Sequence, residues 1–485
     1  MNEREWSQRL CGSRVAILGL GISNRPLVDV LLGYGASVTV RDKSPKEALG
    51  DGVSQWEARG VRFLCGADYL EGLDEDVIFR APGIRPDLPP IARAVQGGAL
   101  LTSEMEMFLD LTPATVIGIT GSDGKTTTTT LTGKLLECAC KERGFGRVYV
   151  GGNIGTPLLP LVGEMTAHDF AVVELSSFQL QTLRRSPDRA ALTNLSKNHL
   201  DWHTGMEEYI QAKTNIYSHP QNQRLITNAE NALTREQGQS TASPVTWFSS
   251  QKSSPTDFTD LLRQGDHALF VTDGRIAYWD GETEQQLLSV DRILLPGVHN
   301  LENYMTAIGL TLPWITPQMA DRVASTFRGV PHRLELIDTV AGVKYYNSSI
   351  DSSPSRTAAA LSALRERPIV ICGGYDKHIP FEPLAEALCK RAKGVVLTGA
   401  TAEKIFAALE AHTEFDPARL PVIMEKDFKA AVLRAHKMAR EGDTVLLSPA
   451  CASFDAFKNF EVRGNTFRDI VNEIVMQARN NEKGE

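Results

Sequence analysis

Short apolar runs rich in β-branched residues recur along this 485-residue chain, and each is followed by a longer stretch of helical character. Strands that alternate with helices in this way fold into parallel sheets covered by helices. The runs fall into three groups, at residues 15–21, 36–42 and 76–83, at residues 115–121, 170–177 and 190–196, and at residues 368–374, 394–400 and 444–450. This grouping predicts an α/β protein with three domains, at residues 1–105, 106–329 and 330–485.

The pattern changes between the second and third groups. Residues 241–290 include the stretch ALFVTDGRIAYWDGET, in which apolar residues alternate around two Asp-Gly pairs. An Asp-Gly pair between two alternating runs is a strong hairpin signal. We therefore expect the central domain to carry an antiparallel flank.

Composition and charge argue against several classes of protein. A formal net charge of −8 does not suit a nucleic-acid-binding protein, which needs a basic surface. No apolar run approaches the length of a membrane span, and the first ten residues lack the apolar stretch of a signal peptide. The seven cysteines include no Cys-x-x-Cys pair, as is typical of scattered reduced thiols. We therefore expect a cytoplasmic protein with no membrane insertion and no nucleic-acid partner.

A glycine-rich segment, GITGSDGKTTTTT, starts at Gly118 and joins a predicted strand to a predicted helix. Such a loop lets backbone N–H groups approach phosphate oxygens, and the start of the helix adds a favourable dipole. Lys125 would reach the outer phosphates, and the hydroxyl of Thr126 could bind Mg²⁺. The usual motif has a glycine where this chain has Ile119, and the front glycine stands one residue earlier, at Gly118. The segment is a variant phosphate-binding loop or, alternatively, an ordinary strand-to-helix turn.

A second glycine-rich turn, GLGISN, follows the first predicted strand and contains Gly19, Gly21 and Asn24. Asp42 ends the next predicted strand, and this spacing is typical of a dinucleotide site. Asn24 stands where such a site needs its third glycine, so an ordinary nicotinamide site is not expected. A site for another diphosphate, such as a nucleotide sugar, fits the same geometry.

Several titratable residues follow the phosphate loop. Glu174 ends an apolar run, where its carboxylate could bind Mg²⁺ or, alternatively, face solvent. His199 and His203 are four residues apart with Asp201 between them, but no third ligand stands at a usable spacing, so zinc is not expected. Lys213 lies on a predicted amphipathic helix, and taken alone it is interpreted as a solvated lysine.

The loop after the last predicted strand, residues 446–464, mixes small, aromatic and charged residues. Its polar side chains suited to holding a polar substrate are Ser448, Ser453, Lys458 and Arg463. The loop alone identifies no reaction.

Together these segments resemble the Mur ligase family. The matching motifs, besides the loop at 118–127, are VGGNIGTPL (150–158), VELSSFQL (173–180), HLDWH (199–203), LPGVHNLEN (295–303), GVPHRLE (329–335) and LSPACASFDAFKNFEVRGN (447–465). The last motif is most similar to that of the D-glutamate-adding members. The resemblance implies a Rossmann-like N-terminal domain for a UDP-linked substrate, a central P-loop ATPase-type domain and a Rossmann-like C-terminal domain for the amino acid.

The activity that the resemblance implies is the ATP-dependent addition of D-glutamate to UDP-N-acetylmuramoyl-L-alanine in peptidoglycan precursor synthesis. ATP phosphorylates the substrate carboxylate, and the amine of D-glutamate attacks the acyl phosphate. The implied cofactors are ATP, two Mg²⁺ ions and a CO₂-derived carbamate on Lys213. The implied partners are the two small-molecule substrates, and the protein is expected to act as a monomer.

The resemblance also assigns roles to residues by position. The implied catalytic residues are Lys125, Glu174, His199 and Lys213. The implied metal ligands are Thr126, Glu174, His199 and carbamylated Lys213. The implied ATP-binding residues are Gly121, Ser122, Asp123, Gly124, Lys125, Thr126, Thr127, Asn300, Asn303 and Arg333. The implied residues for the UDP-linked substrate are Gly21, Ile22, Ser23, Asp42, Pro82, Gly83 and Asn153, and those for D-glutamate are Ser352, Lys377, Ser453 and Phe460.

Two segments depart from the family pattern. The family's Asn-Asp-Ser-Lys-Ala-Thr corresponds to Asn-Ser-Ser-Ile-Asp-Ser here, so Ser348 and Ile350 replace its acid and its lysine, whereas Ser352 keeps a hydroxyl. Ala81 replaces the serine of the family's Ser-Pro-Gly. The contacts made by the acid, the lysine and that serine are therefore not expected in this chain.

Three alternatives remain open. A sister ligase that adds another amino acid would share most of the motifs. A folylpolyglutamate synthetase would lack the N-terminal domain and the SPACASFDAF segment, both of which this chain has. A non-catalytic nucleotide sensor would not need the intact set formed by Lys125, Thr126, Glu174, His199 and Lys213.

Overall fold

The computed structural model describes residues 1–144, 146–197, 202–377 and 379–482. Within these residues the chain forms three sheets, which confirms the α/β class and the three groups of strands. The chain divides into two compact units, one formed by Met1–Arg292 with Leu301–Ala324 and the other by Ile293–Asn300 with Ser325–Glu485. The first two sheets lie in the first unit and the third sheet in the second unit. The domain boundaries near residues 105 and 330 stay predictions.

The first sheet is parallel throughout, with the strand order β3-β2-β1-β4-β5. Its strands are β1 (Arg14–Leu18), β2 (Ser37–Asp42), β3 (Arg62–Cys65), β4 (Val77–Arg80) and β5 (Leu100–Thr102). The helices of this segment are α1 (Glu3–Leu10), α2 (Arg25–Gly33), α3 (Val53–Ala58), α4 (Pro89–Gln96) and α5 (Glu104–Leu111). The two halves of the sheet meet between β1 and β4. Ligands of such sheets bind at this switch point, beside the carboxyl ends of the strands.

The second sheet has the order β14-β13-β12-β11-β10-β9-β6-β8-β7. Its strands are β6 (Thr115–Thr120), β7 (Val148–Gly152), β8 (Phe170–Glu174), β9 (Arg189–Leu192), β10 (Arg224–Asn228), β11 (Val245–Phe248), β12 (His267–Thr272), β13 (Arg275–Trp279) and β14 (Glu284–Ser289). The helices are α6 (Lys125–Arg143), α7 (Ser177–Leu180), α8 (Met206–Thr214), α9 (Ala232–Ser240), α10 (Val298–Thr311) and α11 (Pro317–Ala324). Strands β12, β13 and β14 pair antiparallel, which confirms the predicted flank. Asp273 and Gly274, with φ of 49° and 69°, form the first hairpin turn.

The third sheet has the order β15-β16-β20-β17-β18-β19, and its β15–β16 pair is antiparallel. Its strands are β15 (Glu335–Val340), β16 (Val343–Asn347), β17 (Ile369–Cys372), β18 (Gly394–Leu397), β19 (Val422–Met424) and β20 (Thr444–Leu447). Its helices are α12 (Pro354–Ala363), α13 (Glu382–Arg391), α14 (Ala402–Glu410), α15 (Phe428–Met438) and α16 (Phe460–Glu482). The parallel strands β16, β20 and β17 end at the same edge, which gathers the loops that follow them.

Burial explains why the central strands read as unbroken apolar runs. Every residue of β8 and of β17 is buried, and so are five of the six residues of β6. A parallel strand covered by helices on both faces is expected to look like this.

All seven cysteines are free thiols. Over the residues that the structure describes, no helix is both long and apolar enough to cross a membrane.

Candidate active site

The phosphate loop joins the end of β6 to the start of α6. Two of its glycines have left-handed backbone angles, with φ of 151° at Gly121 and 80° at Gly124. A Cβ atom at Gly121 would lie 1.9 Å from Oγ1 of Thr193, and one at Gly124 would lie 2.4 Å from Oδ1 of Asn303. Backbone angle and space therefore both require glycine at these positions.

The front glycine of the motif has a different role. Gly118 lies inside β6, where an added Cβ atom would be 2.4 Å from Cγ of Pro187. Gly118 thus allows close packing beneath the strand and does not belong to the turn itself. The loop proper runs from Gly121 to Gly124.

The loop is held by the segment that follows β9. Asn194 accepts hydrogen bonds from the backbone of Ser122 at 2.9 Å and from the backbone of Asp123 at 3.0 Å. The hydroxyl of Thr193 donates to the carbonyl of Asp123 at 2.7 Å. A further bond of 2.9 Å joins the hydroxyls of Ser122 and Tyr209, which connects the loop to α8. These contacts fix the loop in shape before any ligand binds.

Three side chains predicted to act on the substrate or metal meet at the carboxyl end of β8. Glu174 is 2% exposed and accepts hydrogen bonds from Oγ1 of Thr126 at 2.8 Å and from Nδ2 of Asn153 at 3.0 Å. The structure thus brings Asn153 to Glu174, at the edge of the second sheet. The alternative interpretation of Glu174 as a solvent-facing residue is wrong.

A hydroxyl and a carboxylate are hard oxygen ligands of the kind that Mg²⁺ prefers, so Thr126 and Glu174 suit this ion. His199, the third implied ligand, lies outside the described residues. Within the described ranges, no group of three or more histidine, cysteine, aspartate or glutamate side chains could hold a metal ion.

Lys213 is buried, with 2% of its surface exposed, so its interpretation as a solvated lysine is wrong. Its Nζ donates to Oγ1 of Thr120 at 3.1 Å and to the carbonyl of Gly121 at 2.9 Å, and it lies 4.9 Å from the ring of Tyr209. Burial, and next the charge of Lys125, lower the pKa of Lys213 well below its ordinary value. Burial therefore favours the neutral amine of Lys213 over its ammonium form.

The remaining predicted ATP-binding residues fall into two sets. In the first unit, Lys125 donates from Nζ to the carbonyls of Gly121 and Ser122 at 3.0 and 2.9 Å, and Thr127 is buried in the first turn of α6. Asn303 accepts a 3.2 Å hydrogen bond from the hydroxyl of Thr128 in the next position of the same helix.

Asn300 and Arg333 belong to the second unit. Nδ2 of Asn300 donates to the carbonyl of Pro296 at 2.7 Å. Their predicted contacts with the nucleotide stay predictions.

The first sheet presents a second group of predicted residues at its switch point. Asp42 accepts backbone hydrogen bonds from Leu20 and Ser44, both at 2.8 Å, so its carboxylate holds the glycine turn. Asn24 is 1% exposed and donates to the carbonyl of Gly19 at 2.9 Å. This amide stabilises the turn and accounts for asparagine in place of the third glycine.

The rim of this turn is open. Gly21 is exposed, and the side chain of Ile22 is 77% exposed beside Ser23. Pro82 and Gly83 follow the end of β4, the strand that pairs with β1. A Cβ atom added to Gly19, in the turn after β1, would lie 3.0 Å from Cβ of Ala81, so the two loops lie side by side. The first sheet therefore brings together six of the seven residues predicted for the UDP-linked substrate.

In the second unit, the loops after β16, β17 and β20 carry the residues predicted for D-glutamate. Nζ of Lys377 lies 3.2 Å from Oγ of Ser352, so the structure brings these two side chains together. Ser453 is buried in the loop after β20. Phe460 begins α16, and its carbonyl accepts a 2.8 Å hydrogen bond from the hydroxyl of Ser349.

The sequence named Arg463 as a side chain suited to holding a polar substrate, but it did not reveal that this residue organises these loops. Arg463 is 2% exposed and donates to Oγ and the carbonyl of Ser349 and to the carbonyls of Cys451 and Ala452. Burial lowers its pKa to about 10. Arg463 lies in the segment 447–465 that resembles the family, which marks it as a candidate. The resemblance does not reveal which carbonyls its side chain contacts.

The two departures from the family pattern have structural roles. Ser348 is 1% exposed and accepts a 3.2 Å hydrogen bond from the backbone of Leu334. The backbone of Ile350 donates to the carbonyl of His332 at 3.1 Å. Both residues therefore help to fix the loop after β16.

The sequence was compared with known families and proteins. Residues 119–311 match the Mur ligase middle domain, and residues 332–451 match the Mur ligase, glutamate ligase domain. A UDP-N-acetylmuramoylalanine--D-glutamate ligase from Ruminiclostridium cellulolyticum is 43% identical over 465 residues, which cover 95% of this chain and 97% of that protein. The chain belongs to the Mur ligase family. A second Mur ligase of the same name, from Acetivibrio thermocellus, is 41% identical over 97% of this chain and 98% of its own length.

Solved structures confirm the Mur ligase fold. A UDP-N-acetylmuramate-alanine ligase from Thermotoga maritima has a TM-score of 0.51 and 16% identity, covering 95% of this chain and 99% of its own. A UDP-N-acetylmuramoyl-L-alanyl-D-glutamate--2,6-diaminopimelate ligase has a TM-score of 0.56 and 17% identity, covering 96% and 94%. At these identities the likeness concerns the fold alone.

Proposed function

We propose that this chain is an ATP-dependent ligase that joins D-glutamate to UDP-N-acetylmuramoyl-L-alanine in peptidoglycan precursor synthesis. The observation that carries the proposal is identity of 41–43% to D-glutamate ligases over nearly the whole chain. The phosphate loop supports it, because Lys125 lies against the loop and Thr126 donates to Glu174, and these are the residue types that phosphoryl transfer uses. The proposal also includes a cytoplasmic location, a monomeric state and domains at residues 1–105, 106–329 and 330–485.

The reaction joins two anions, so charge must be neutralised. The γ-phosphoryl group of ATP is transferred to the carboxylate oxygen of the alanyl residue, giving an acyl phosphate and ADP. The ammonium of Lys125 stabilises charge on the transferred group, and the backbone N–H groups of the loop hold the phosphates. Thr126 and Glu174 would hold Mg²⁺, which would supply further positive charge at this point. The amine of D-glutamate then attacks the acyl carbon, and phosphate leaves.

A second Mg²⁺ would be held by His199 and a carbamate on Lys213. A carbamate forms when a neutral amine adds to CO₂ and loses a proton, which replaces a cation by an oxygen ligand. The burial of Lys213 and its lowered pKa support this step. The Nζ of Lys213 donates a hydrogen bond to the carbonyl of Gly121, so the carbamate would form beside the phosphate loop.

The substrates are assigned to the two other sheets. The uridine diphosphate would bind at the switch point of the first sheet, at Gly21, Ile22, Ser23, Asp42, Pro82 and Gly83. Asn153, beside Glu174, would contact the muramoyl part near the reacting carboxylate. D-Glutamate would bind at Ser352, Lys377, Ser453 and Phe460, where Lys377 supplies a cation for one carboxylate.

Release of ADP tests the proposal directly. The purified protein is supplied with ATP, Mg²⁺ and UDP-N-acetylmuramoyl-L-alanine, and each of D-glutamate, L-glutamate, L-lysine, L-alanine and glycine is added in turn. We expect ADP release and a UDP-linked product with D-glutamate alone. Equal turnover with another amino acid would indicate a sister ligase, and release with folate substrates would indicate a folylpolyglutamate synthetase. Absence of any substrate-dependent ADP release would indicate a nucleotide sensor.

A further inference from the structure

The loop after β4, residues 81–85, is fixed at both ends by arginine side chains that reach elements of the second sheet. Arg80, the last residue of β4, is 1% exposed and donates from Nη1 to the carbonyl of Pro82 at 3.1 Å. Its Nη2 donates to the carbonyl of Phe178 at 2.9 Å. Arg80 therefore joins the loop to α7, the helix that begins three residues after Glu174.

Arg85, at the other end of the loop, reaches α8. Its Nη2 donates to Oε1 of Glu208 at 3.0 Å, its Nη1 donates to the carbonyl of Trp202, and its guanidinium lies over the Trp202 ring. Asp87 orients the same guanidinium through two hydrogen bonds of 2.8 Å. Hydrogen bonds to Asp87, and then to Glu208, raise the pKa of Arg85 and keep it charged.

Glu208 connects this arginine to the segment that precedes α8. Its Oε2 accepts from the backbone N–H and hydroxyl of Thr204, at 2.5 and 2.8 Å, and its Oε1 accepts from Nε2 of Gln181 at 2.7 Å. Burial opposes ionisation of Glu208, but the bonds from Thr204 and Arg85 outweigh it and lower the pKa of the carboxyl. Both carboxylate oxygens of Glu208 thus accept hydrogen bonds that fix the start of α8.

Helix α8 leads from this point to the phosphate loop. Tyr209 and Lys213 are four residues apart and lie on the same face of α8. Tyr209 is hydrogen-bonded to Ser122, and Lys213 is hydrogen-bonded to the carbonyl of Gly121. A polar path therefore runs from the loop at 81–85 through Arg85 and Glu208 into α8 and on to the phosphate loop. Nothing in the family resemblance assigned a role to Arg85 or to Glu208.

We propose that Arg85 is a positioning residue which, through Glu208, lets the nucleotide bound at loop 81–85 set the position of α8 and of Lys213. The inference rests on the proposed function, because it takes this loop as part of the uridine diphosphate site. Binding energy from the remote nucleotide is then used to align the groups around the reacting carboxylate.

Kinetics with a full and a truncated substrate test the proposal. The wild-type enzyme and Arg85→Ala are compared on UDP-N-acetylmuramoyl-L-alanine and on 1-phospho-N-acetylmuramoyl-L-alanine, which lacks the uridine. With the full substrate we expect kcat/KM to fall about tenfold or more, the size associated with one charge-assisted hydrogen bond, while the KM values for ATP and D-glutamate stay within about twofold. With the truncated substrate we expect the kcat/KM values of the two enzymes to differ by less than about twofold. The contact between Arg85 and Glu208 then has no bound uridine whose position it could transmit to α8.

Companion variants separate positioning from folding. Arg85→Lys should recover part of the loss, and Glu208→Gln combined with Arg85→Ala should lose little more than either single variant. Arg59→Ala removes an exposed ion pair between the end of α3 and Asp29 of α2, and should behave as wild type on both substrates. Equal losses on both substrates, or no loss on the full one, would overturn the proposal.

Hydrogen–deuterium exchange gives a readout that does not depend on turnover. Adding uridine diphosphate should slow amide exchange in residues 202–214 of the wild-type enzyme and leave that segment unchanged in Arg85→Ala. Protection that persists in the variant, or a bound nucleotide that protects nothing in the wild-type segment, would refute the coupling. A wild-type enzyme that binds no uridine diphosphate, or ligates no D-glutamate, would instead refute the proposed function.

Discussion

Lys125 and Lys213 donate hydrogen bonds to the same carbonyl oxygen, that of Gly121, at 3.0 and 2.9 Å. Two ammonium groups held this close repel each other, and the charge of Lys125 is one cause of the lowered pKa of Lys213. Carbamylation of Lys213 would turn the repulsion into attraction, because the modified side chain is an anion. Through this shared carbonyl, Lys125 and Lys213 connect the phosphate loop to α8.

Replacing Lys125 with alanine tests the electrostatic role of the loop. We expect Lys125→Ala to lower kcat by roughly two to three orders of magnitude, since the transferred phosphoryl group loses a preorganised cation. ADP formation during acyl-phosphate synthesis measures the effect, and the circular dichroism spectrum should not change. Lys134→Ala removes an exposed lysine of the same helix, which pairs with Glu137, and should turn over normally. Near-normal turnover by Lys125→Ala would show that the loop is only structural.

Replacing Lys213 with alanine tests the carbamate. We expect Lys213→Ala to lose activity and to recover part of it when a short carboxylate such as acetate is added, because the carboxylate can occupy the vacated ligand position. Acetate should not rescue Lys125→Ala, where a cation is missing. Carbon-13 NMR of the wild-type enzyme under labelled CO₂ should show a carbamate signal that Lys213→Ala lacks. An active, metal-bound enzyme with an unmodified Lys213 would contradict the assignment.

The stability of the second unit should depend on pH through Asp351. Burial raises the pKa of this carboxyl to about 6, although Ser448 donates to it at 2.8 Å. A carboxyl whose pKa is higher in the folded state stabilises the fold at low pH, and this contribution is lost as the pH rises through about 6. A rise from 3.8 to about 6 corresponds to about 3 kcal/mol.

Asp351→Asn should therefore raise the free energy of unfolding at pH 8 by up to about 3 kcal/mol and change it little at pH 4. An asparagine can still accept the hydrogen bond from Ser448. Urea unfolding at several pH values measures the effect, with the exposed Asp469→Asn as the control. A stability difference between Asp351→Asn and wild type that does not vary with pH would contradict the assigned cause.

The sequence predicted most of the strands because the buried parallel ones are continuous apolar runs. It did not assign β3, β5, β7, β10, β11, β15, β16 or β19. Of these, β3 and β5 are short and partly exposed, so neither gives a clear signal. It also extended the predicted runs past the true ends of β1 and β4 into the loops that follow. Apolar composition continues past the last hydrogen-bonded pair, and the sequence does not mark where pairing stops.

The site was predicted unevenly for a similar reason. Thr126 and Glu174 stand at strand and helix ends that pattern alone identifies, and the structure brings them together. The burial of Lys213 could not be predicted from its own segment, because the groups that hold its Nζ, Thr120 and Gly121, are more than ninety residues away in the chain, and the role that the resemblance implies for it stays a prediction. Arg85 carried no local signal, since its partner Glu208 lies 123 residues away in the chain.

The amino-acid site gives the last prediction. D-Glutamate brings two carboxylates, and the structure places the ammonium of Lys377 3.2 Å from Oγ of Ser352 at the edge where the loops of the third sheet meet. A charge-assisted hydrogen bond contributes about 1.5–3 kcal/mol, equivalent to about one to two decades in affinity. Lys377→Ala should therefore raise the KM for D-glutamate about tenfold or more and leave the KM for ATP within about twofold.

Steady-state kinetics with each substrate varied in turn measure this effect. Lys390→Ala removes an exposed lysine that pairs with Glu386 on α13 and should leave both constants unchanged. L-Glutamate should remain a poor substrate of the wild-type enzyme, because inverting the α-carbon moves either the amine or a carboxylate out of place. A KM for D-glutamate that does not change in Lys377→Ala would mean that another cation holds the substrate. Equal increases for ATP and D-glutamate would point to a general disturbance of the fold.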